Sequence, residues 1–336
     1  MSKIAHKAEK FSFGAIVLYV LFIVIWLILR LLLFDRLWWL SIINDAAIYI
    51  FVPLPILLTA CLWKRRWRLL AGLSIPILAF GVLFGELFLP QLPYSLPEGG
   101  RMLCVMTFNV FTGNKNYQAI AGVIRGVNPD IVGLQELNQN TARKLVQELA
   151  VDYPYHAIMP PNQKQQVGIF SRFPIVTATT FSLPTDSHAL QAVVRVYNQQ
   201  IHILVADLLF YPKITAQPNQ VASLVSEYKA QKLVEIKHLE EEFRKTGNPV
   251  LLLCDCNLTS TSEAYTQLKK FAQDSFWQAG WGLGHTVYVN SAIPVQRIDY
   301  IWHSDEFSAI KAVVGSDSGG SDHLPAIAKL WLQRPN

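Results

Sequence analysis

The sequence predicts an α+β protein, a sandwich of two β-sheets with helices outside, preceded by three membrane-spanning helices. Two observations predict it. Beyond residue 100 the chain holds many short β-like apolar runs and few helical patterns, in mixed order. Before residue 90 it holds three long apolar runs, which explain why a chain of 336 residues is 51% hydrophobic and only 16% charged.

The apolar runs come first. Phe11–Leu29, Ala46–Trp63 and Leu69–Gly85 contain no charged residue, and each approaches the roughly 20 apolar residues that cross a bilayer as a helix. The third is long enough once Leu87–Leu89 are added past Glu86. Spans are expected at about residues 11–34, 43–63 and 69–89, making residues 1–90 a membrane anchor. A cleaved signal peptide would account for the first run and not for the next two. Lys3, Lys7 and Lys10 precede the first run, and Lys64, Arg65, Arg66 and Arg68 separate the second from the third. The first loop offers only Arg36, beside Asp35 and Asp45. The positive-inside bias then leaves the N-terminus and second loop in the cytoplasm, with everything after residue 90 on the outer side of a cell membrane.

Residues 91–100, rich in Pro and Gly, read as a linker. Residues 101–336 are long enough for one domain with a large core. This part holds 20 Lys+Arg and 19 Asp+Glu, so most of the formal charge of +5 sits in the anchor. A near-neutral domain lacks the basic footprint of avid nucleic-acid binding.

Within the domain, strands are expected at Met102–Phe108, Ile131–Leu134, Val167–Phe170, Ala189–Tyr197, Ile201–Ala206 and Val250–Cys254. Ile298–Trp302, Ala309–Val314 and Ala326–Leu332 complete the set. Helical patterns cover Thr141–Ala150, Asn219–Arg244 and Ser262–Ala272. The longest carries apolar Val221, Leu224, Val225, Tyr228, Leu233 and Ile236 against Glu and Lys elsewhere, an amphipathic cover for a sheet face. Of the domain's cysteines, Cys254 and Cys256 flank Asp255 on an expected strand and read as small buried hydrophobes. A disulfide to Cys104 is the other reading, in an oxidising compartment.

Five places put acids, amides or an imidazole at the ends of apolar runs: Asn109, Gln135-Glu136, Asp255 with Asn257, Asp299, and Asp322-His323. One such residue is ordinary turn chemistry, but five converging strand ends make a site. Glu136 and Asp322, helped by Asn109, are hard oxygen ligands suited to Mg²⁺ or Mn²⁺, ions held by one or two carboxylates plus substrate phosphate. Asp255 and Asn257, two apart on an extended segment, face the same way. One can accept a proton from water while the other orients that water or a phosphate oxygen. A His323–Asp299 pair would fix the imidazole tautomer and raise its basicity.

In kind, order and spacing these motifs resemble the Mg²⁺-dependent endonuclease/exonuclease/phosphatase superfamily, the deoxyribonuclease I-like proteins, over about residues 102–332. Val167-Gly-Ile-Phe-Ser-Arg-Phe-Pro174 resembles the family's Gly-aliphatic-Ser-basic-aromatic-Pro strand, and Gly284-His-Thr286 its Gly-x-Thr turn. The resemblance implies a four-layer α/β sandwich, two mostly antiparallel sheets flanked by helices, with the site at one end. It implies metal at Glu136 with Asn109 and Asp322, water activation around Asp255 and Asn257, and the Asp299–His323 pair near the phosphate.

One position departs from the pattern. After Ile201–Ala206, many members place a second histidine, and Asp207 stands there instead. An ionised carboxylate cannot donate a hydrogen bond to a phosphate oxygen, and it repels a dianion. Asp207 therefore either binds a second metal, is tolerated with altered activity, or marks a weakened site. His188 and His202 lie near in sequence without matching the family position. The expectation is a membrane-anchored Mg²⁺-dependent phosphoesterase acting outside the cytoplasm, with the lipid bilayer as a partner. Its substrate is a phospholipid headgroup or nucleic acid. The alternative is a binding or scaffold protein that kept the fold and lost turnover.

Overall fold

Alternation along the strands decides how many layers the domain has. In β1 (Arg101–Asn109), Leu103 and Val105 face one way and Met106 and Phe108 the other, and all four are buried. A strand apolar on both faces lies between two layers. The computed structural model describes residues 2–89, 98–160, 165–185, 187–210, 218–245, 247, 249–289 and 292–334. Of the expected linker 91–100, only residues 98–100 are among them.

The first sheet runs β11 (Phe307–Val314), β12 (Ala326–Leu332), β1, β2 (Ile131–Leu137), β4 (Gln166–Ser171), β3 (Tyr155–Met159). The second runs β5 (Ile175–Ser182), β6 (His188–Val196), β7 (Gln199–Asp207), β8 (Val250–Asp255), β10 (Asp299–His303), β9 (Gln273–Asp274). Each has one parallel pair, β1–β2 and β7–β8, in an otherwise antiparallel ladder. Leu103, Val105 and Ile131 meet Val205, Leu251, Leu253 and Ile301 in the core between the sheets. At Gly133 the two sheets approach so closely that a Cβ would lie 2.8 Å from Leu253 Cβ. α5 (Tyr117–Val127) and α6 (Gln139–Glu148) cover the outer face of the first sheet through Ile120, Ile124 and Leu145. α7 (Pro218–Lys245) and α8 (Glu263–Leu268) cover the second. The result is a four-layer α/β sandwich.

All nine expected strands and three helices are present, Ala326–Leu332 with the expected bounds and the others with one or both ends shifted. α5, β3, β5, β9 and α9 (Ser275–Ala279) were not expected. α5 does carry end signals: Asn116 accepts from the Ala119 N–H at 3.1 Å, and Asn128 closes the helix in the left-handed region. α7 corrects an expectation about charge. Lys232 and Glu235 do not sit on its solvent face: they are 1% and 0% exposed and pair at 3.1 Å. They lie four and seven residues after Tyr228, on the helix's buried stripe.

Ahead of the domain stand α1 (Ser2–Leu33), α2 (Trp38–Asp45), α3 (Pro53–Trp63) and α4 (Trp67–Phe84). Phe13–Leu33 and Trp67–Phe88 are long and apolar enough to cross a membrane. The expected second span, 43–63, is not one straight helix: Trp38–Asp45 and Ala47–Trp63 meet at a bend of 70°. Pro53 and Pro55 explain a restart in this segment, because proline lacks an N–H and its ring clashes with the preceding turn. α3 accordingly begins at Pro53, and a 3₁₀ turn fills Ala47–Phe51. The ends of these elements grip the domain. Asp35 Oδ2 accepts from the Glu263 N–H at 2.8 Å, Lys229 Nζ meets Asp45 Oδ2 at 2.7 Å, and the Gly282 N–H donates to the Leu87 carbonyl at 2.7 Å.

Candidate active site

The core between the sheets turns polar at one end. On β7 the inward positions read Ile203, Val205, Asp207, and on β8 Leu251, Leu253, Asp255. On β10, Asp299 follows the same parity as Ile301. Strand register places Asp207 opposite Asp255 and Asp255 opposite Asp299, so three carboxylates stand abreast. From the first sheet, β1 contributes Thr107 and Asn109 and β2 contributes Gln135. Gln135 Nε2 donates to Thr107 Oγ1 at 3.0 Å and to the Leu253 carbonyl at 3.2 Å, tying the sheets together beneath the site.

Glu136 reaches the site by a backbone irregularity. Strict alternation would send it to the opposite face from Gln135, but the pairing with β4 slips between Leu134 and Leu137, and Glu136 sits at φ 54°. Holding a non-glycine residue there costs about 1–2 kcal/mol, strain of the kind concentrated at functional sites. The carboxylate is then held by the Thr112 N–H and hydroxyl, each at 3.0 Å, and by Asn109 Nδ2 at 3.0 Å. The same Asn109 amide donates to Asp255 Oδ2 at 2.8 Å, bridging Glu136 to Asp255.

His323 Nδ1 lies 2.9 Å from Asp299 Oδ2, and its Nε2 lies 4.0 Å from Asp255 Oδ2. Ser321 Oγ positions it, accepting from the His323 N–H at 3.0 Å and donating to the Asn109 carbonyl at 2.7 Å. Thr286 of the Gly-His-Thr turn accepts from the Asp299 N–H at 3.3 Å. Asp322 is exposed, and among the described residues its carboxylate makes no hydrogen bond to Glu136 or Asn109. Asn257, at φ 49°, touches Asp255 Oδ1 through its backbone N–H at 3.2 Å, while its side chain donates to the Leu208 carbonyl at 3.0 Å. Asp207 Oδ2 accepts from Gln165 Nε2 at 2.8 Å. His202 lies on the opposite face of β7, and the His188 side chain is outside the described residues.

Cys254 and Cys256 correct a second expectation. They are buried, but they are joined to each other in a disulfide and Cys104 is free. Residues i and i+2 of a strand share a face, and the chain curls after Asp255, bringing the two Cα atoms to 5.1 Å, within the range a disulfide bridges. Thr112, Gln165 and the Lys232–Glu235 pair were not singled out in the sequence, whereas Thr286 was, as the end of the Gly-x-Thr turn. Lys232 Nζ donates to the Cys256 carbonyl at 3.1 Å, and Glu235 accepts from the Leu209 N–H at 3.1 Å, so the pair straps down the loops after β8 and β7. Only their position on the apolar stripe of α7 could have flagged them.

The carboxylates shape the electrostatics. Burial, then the charge of Asp299, pushes Asp255 up to about 7 against the opposing pull of His323 and the Asn109 hydrogen bond. Burial, then Asp255 and Glu136, raises Asp207 well above the carboxylate range. Burial alone would lower His323, but Asp299 and Asp255 outweigh it and push the imidazolium up to about 10. Asp299 Oδ1 is buried and has no hydrogen-bond partner among the described residues. Ligand atoms of Asp255, Asp299 and His323 lie within 4.8 Å of one another, and this set of two carboxylates and an imidazole could bind a divalent cation.

Fold and site together define the class. Two mixed sheets between helical layers, with acids, amides and one imidazole at a shared end, are the frame that the sequence motifs imply. Residues 106–323 match the Endonuclease/Exonuclease/phosphatase family, and the chain belongs to it. An endonuclease/exonuclease/phosphatase from Beutenbergia cavernae superposes with a TM-score of 0.56 at 20% identity, over 69% of this chain and 72% of that one. Truncated Caenorhabditis elegans TDP2 gives 0.56 at 14% identity over 68% and 98%. The mannosyl-6-phosphatase of Bacteroides thetaiotaomicron gives 0.55 at 17% identity over 68% and 99%. At these identities the likeness is one of fold. Among curated proteins no sequence matches this chain.

Proposed function

We propose that the protein is a membrane-anchored, Mg²⁺- or Mn²⁺-dependent phosphoesterase whose catalytic domain lies outside the cytoplasm. The observation that carries the chemistry is the convergence of Glu136, Asn109, Asp255, Asp299 and His323 at one end of a sandwich of this family. Glu136 and Asn109, with Asp322 at the rim, would hold the cation, which stabilises the charge developing on phosphorus oxygens during in-line attack by water. Asp255 accepts the proton of that water, Asn257 orients it, and His323, oriented by Asp299, donates to a phosphate oxygen. A pKa near 7 suits Asp255 to the task of a general base. Burial and the neighbouring Asp255 and Glu136 favour a protonated Asp207, and a protonated carboxyl donates a hydrogen bond to a phosphate where a carboxylate would repel it. That favours catalysis over the scaffold reading.

The anchor supports the topology. The C-terminal ends of α1 and of the α4 segment both meet the domain, through Arg30 to the Thr261 carbonyl and Leu87 to Gly282. Two spans that end on the same side need a return crossing between them, and the bent segment Trp38–Trp63 is apolar enough to be one. With the basic loop 64–68 cytoplasmic, the domain is outside. The anchor holds the site near a bilayer, which favours a phospholipid headgroup over nucleic acid.

Full-length protein in detergent should hydrolyse phosphate esters with added Mg²⁺, and EDTA or Asp255→Ala should stop it. No metal-dependent turnover of nucleic acid, phospholipid or nitrophenyl phosphates would leave the scaffold reading.

A further inference from the structure

The turn after α1 and the end of α2 do not lie flat on the domain. Between them, α7 and the loop before α8 is a cavity of about 570 Å³, and Asn257 lines it too. That is the size of a pocket for a small organic ligand or one end of a larger one. Ile42, Ala46, Leu233, Val289 and Ile298 give it apolar walls. Its position is set by the span Phe13–Leu33, which ends two residues before Asp35 in the lining. Trp38 and Trp39, two and three residues after Arg36 of the lining, are exposed, as aromatic residues are at a membrane–water interface.

The charges of the lining sort into two kinds. Lys229 is bound by Asp45 at 2.7 Å and Asp35 at 3.6 Å, and Lys232 by Glu235, so these are satisfied within the protein. Arg36, exposed, and Glu263, half-buried, form no ion pair or side-chain hydrogen bond among the described residues, and do not reach each other. A cavity offering one free cation, one free carboxylate and apolar walls complements a zwitterion with a hydrocarbon chain.

Resting on the membrane reading above, we propose that this cavity binds a phospholipid with a primary-amine headgroup. Its phosphate pairs with Arg36, its ammonium with Glu263, and its chain lies along the apolar wall. Because Asn257 lines the same cavity, the bound headgroup lies beside the candidate active site.

The test reads binding rather than turnover. Full-length protein in mild detergent is titrated with phosphatidylethanolamine, phosphatidylcholine or phosphatidylglycerol, and retained lipid is weighed by native mass spectrometry. One phosphatidylethanolamine should be retained in preference to the other two. Arg36→Gln should weaken it about five-fold, the worth of one basic residue at a membrane surface. Glu263→Gln should erase the preference over phosphatidylglycerol. Ala230→Trp, at an exposed helical position in the lining, should block binding without disturbing the core. Equal retention of all three lipids, a preference for phosphatidylglycerol in the native protein, or indifference to these variants overturns the site. An active enzyme with indifferent binding loses the cavity proposal alone. An inactive one that still selects phosphatidylethanolamine loses the phosphoesterase reading alone.

Discussion

Asp207 stands directly across from Asp255 in the parallel pair of β7 and β8, one carboxyl buried beside another. Burial and neighbouring carboxylates disfavour the ionised form of both, and Asp207, crowded by Asp255 and then Glu136, is raised well above its ordinary value. It should therefore act as a neutral hydrogen-bond donor. Asp207→Asn, which keeps a donor, should retain kcat on a soluble phosphate ester within several-fold. Asp207→Ala should lose about 10²-fold, the cost of one preorganised donor. Equal losses in both variants would show that the charge, and not the donor, matters.

The Asp299–His323 pair makes stability depend on pH. The imidazolium is held up to about 10 in the folded protein, against about 6.5 in an unfolded chain. The folded state binds that proton more tightly, so the stabilisation is complete below about 6.5 and is lost as pH rises through about 10. Asp255, raised to about 7, acts in the same direction over a lower window, between about 4 and 7. Melting temperatures of the EDTA-treated protein should fall across both windows. His323→Gln should flatten the upper one only.

Glu136 is held in a left-handed conformation by Thr112 and Asn109. If that strain serves metal binding, Mg²⁺ at 100 times its Kd should stabilise the native protein by about 2.7 kcal/mol. Glu136→Gln should abolish most of the Mg²⁺-induced rise in melting temperature while leaving the metal-free protein near native stability. A rise of undiminished size in the variant would place the ion elsewhere.

Lys229 and Asp45 join the domain to the N-terminal helices through a pair largely withdrawn from water, with side chains 11% and 15% exposed. Lys229→Met leaves Asp35 and Asp45 facing each other without their cation. Such a loss typically costs about 3–5 kcal/mol. Full-length protein should show faster amide exchange over the α2 turn and the start of α8, whereas Lys270→Met, on the surface, should change nothing there.

Much of this site was legible as a pattern. Apolar residues alternating with a terminal acid on β8 and β10 gave Asp255 and Asp299 their shared face, and a turn before β12 gave His323 its place. Glu136 was recognisable as an acid at a strand end, but its turn into the site depends on a slip of register that no local propensity specifies. The apolar helix stripe of α7 was visible, yet Lys232 and Glu235 within it read as surface charges. Their burial depends on carbonyls and N–H groups contributed by loops far away in sequence. The disulfide of Cys254 with Cys256 depended likewise on how the chain curls after Asp255.

By itself the sequence determined the apolar N-terminal runs, the alternating strands, the two-layer sheet core and the identity of the polar residues at its end. Periodicity and side-chain chemistry are local properties, and they are written residue by residue. Only the tertiary structure decided that three aspartates stand abreast, that Asn109 links Glu136 to Asp255, that the expected second span is bent, and that the N-terminal helices and the domain enclose a cavity between them. Those facts arise from strand register and from elements meeting across long stretches of chain, where burial and neighbouring charge, and not residue type, set what each group does.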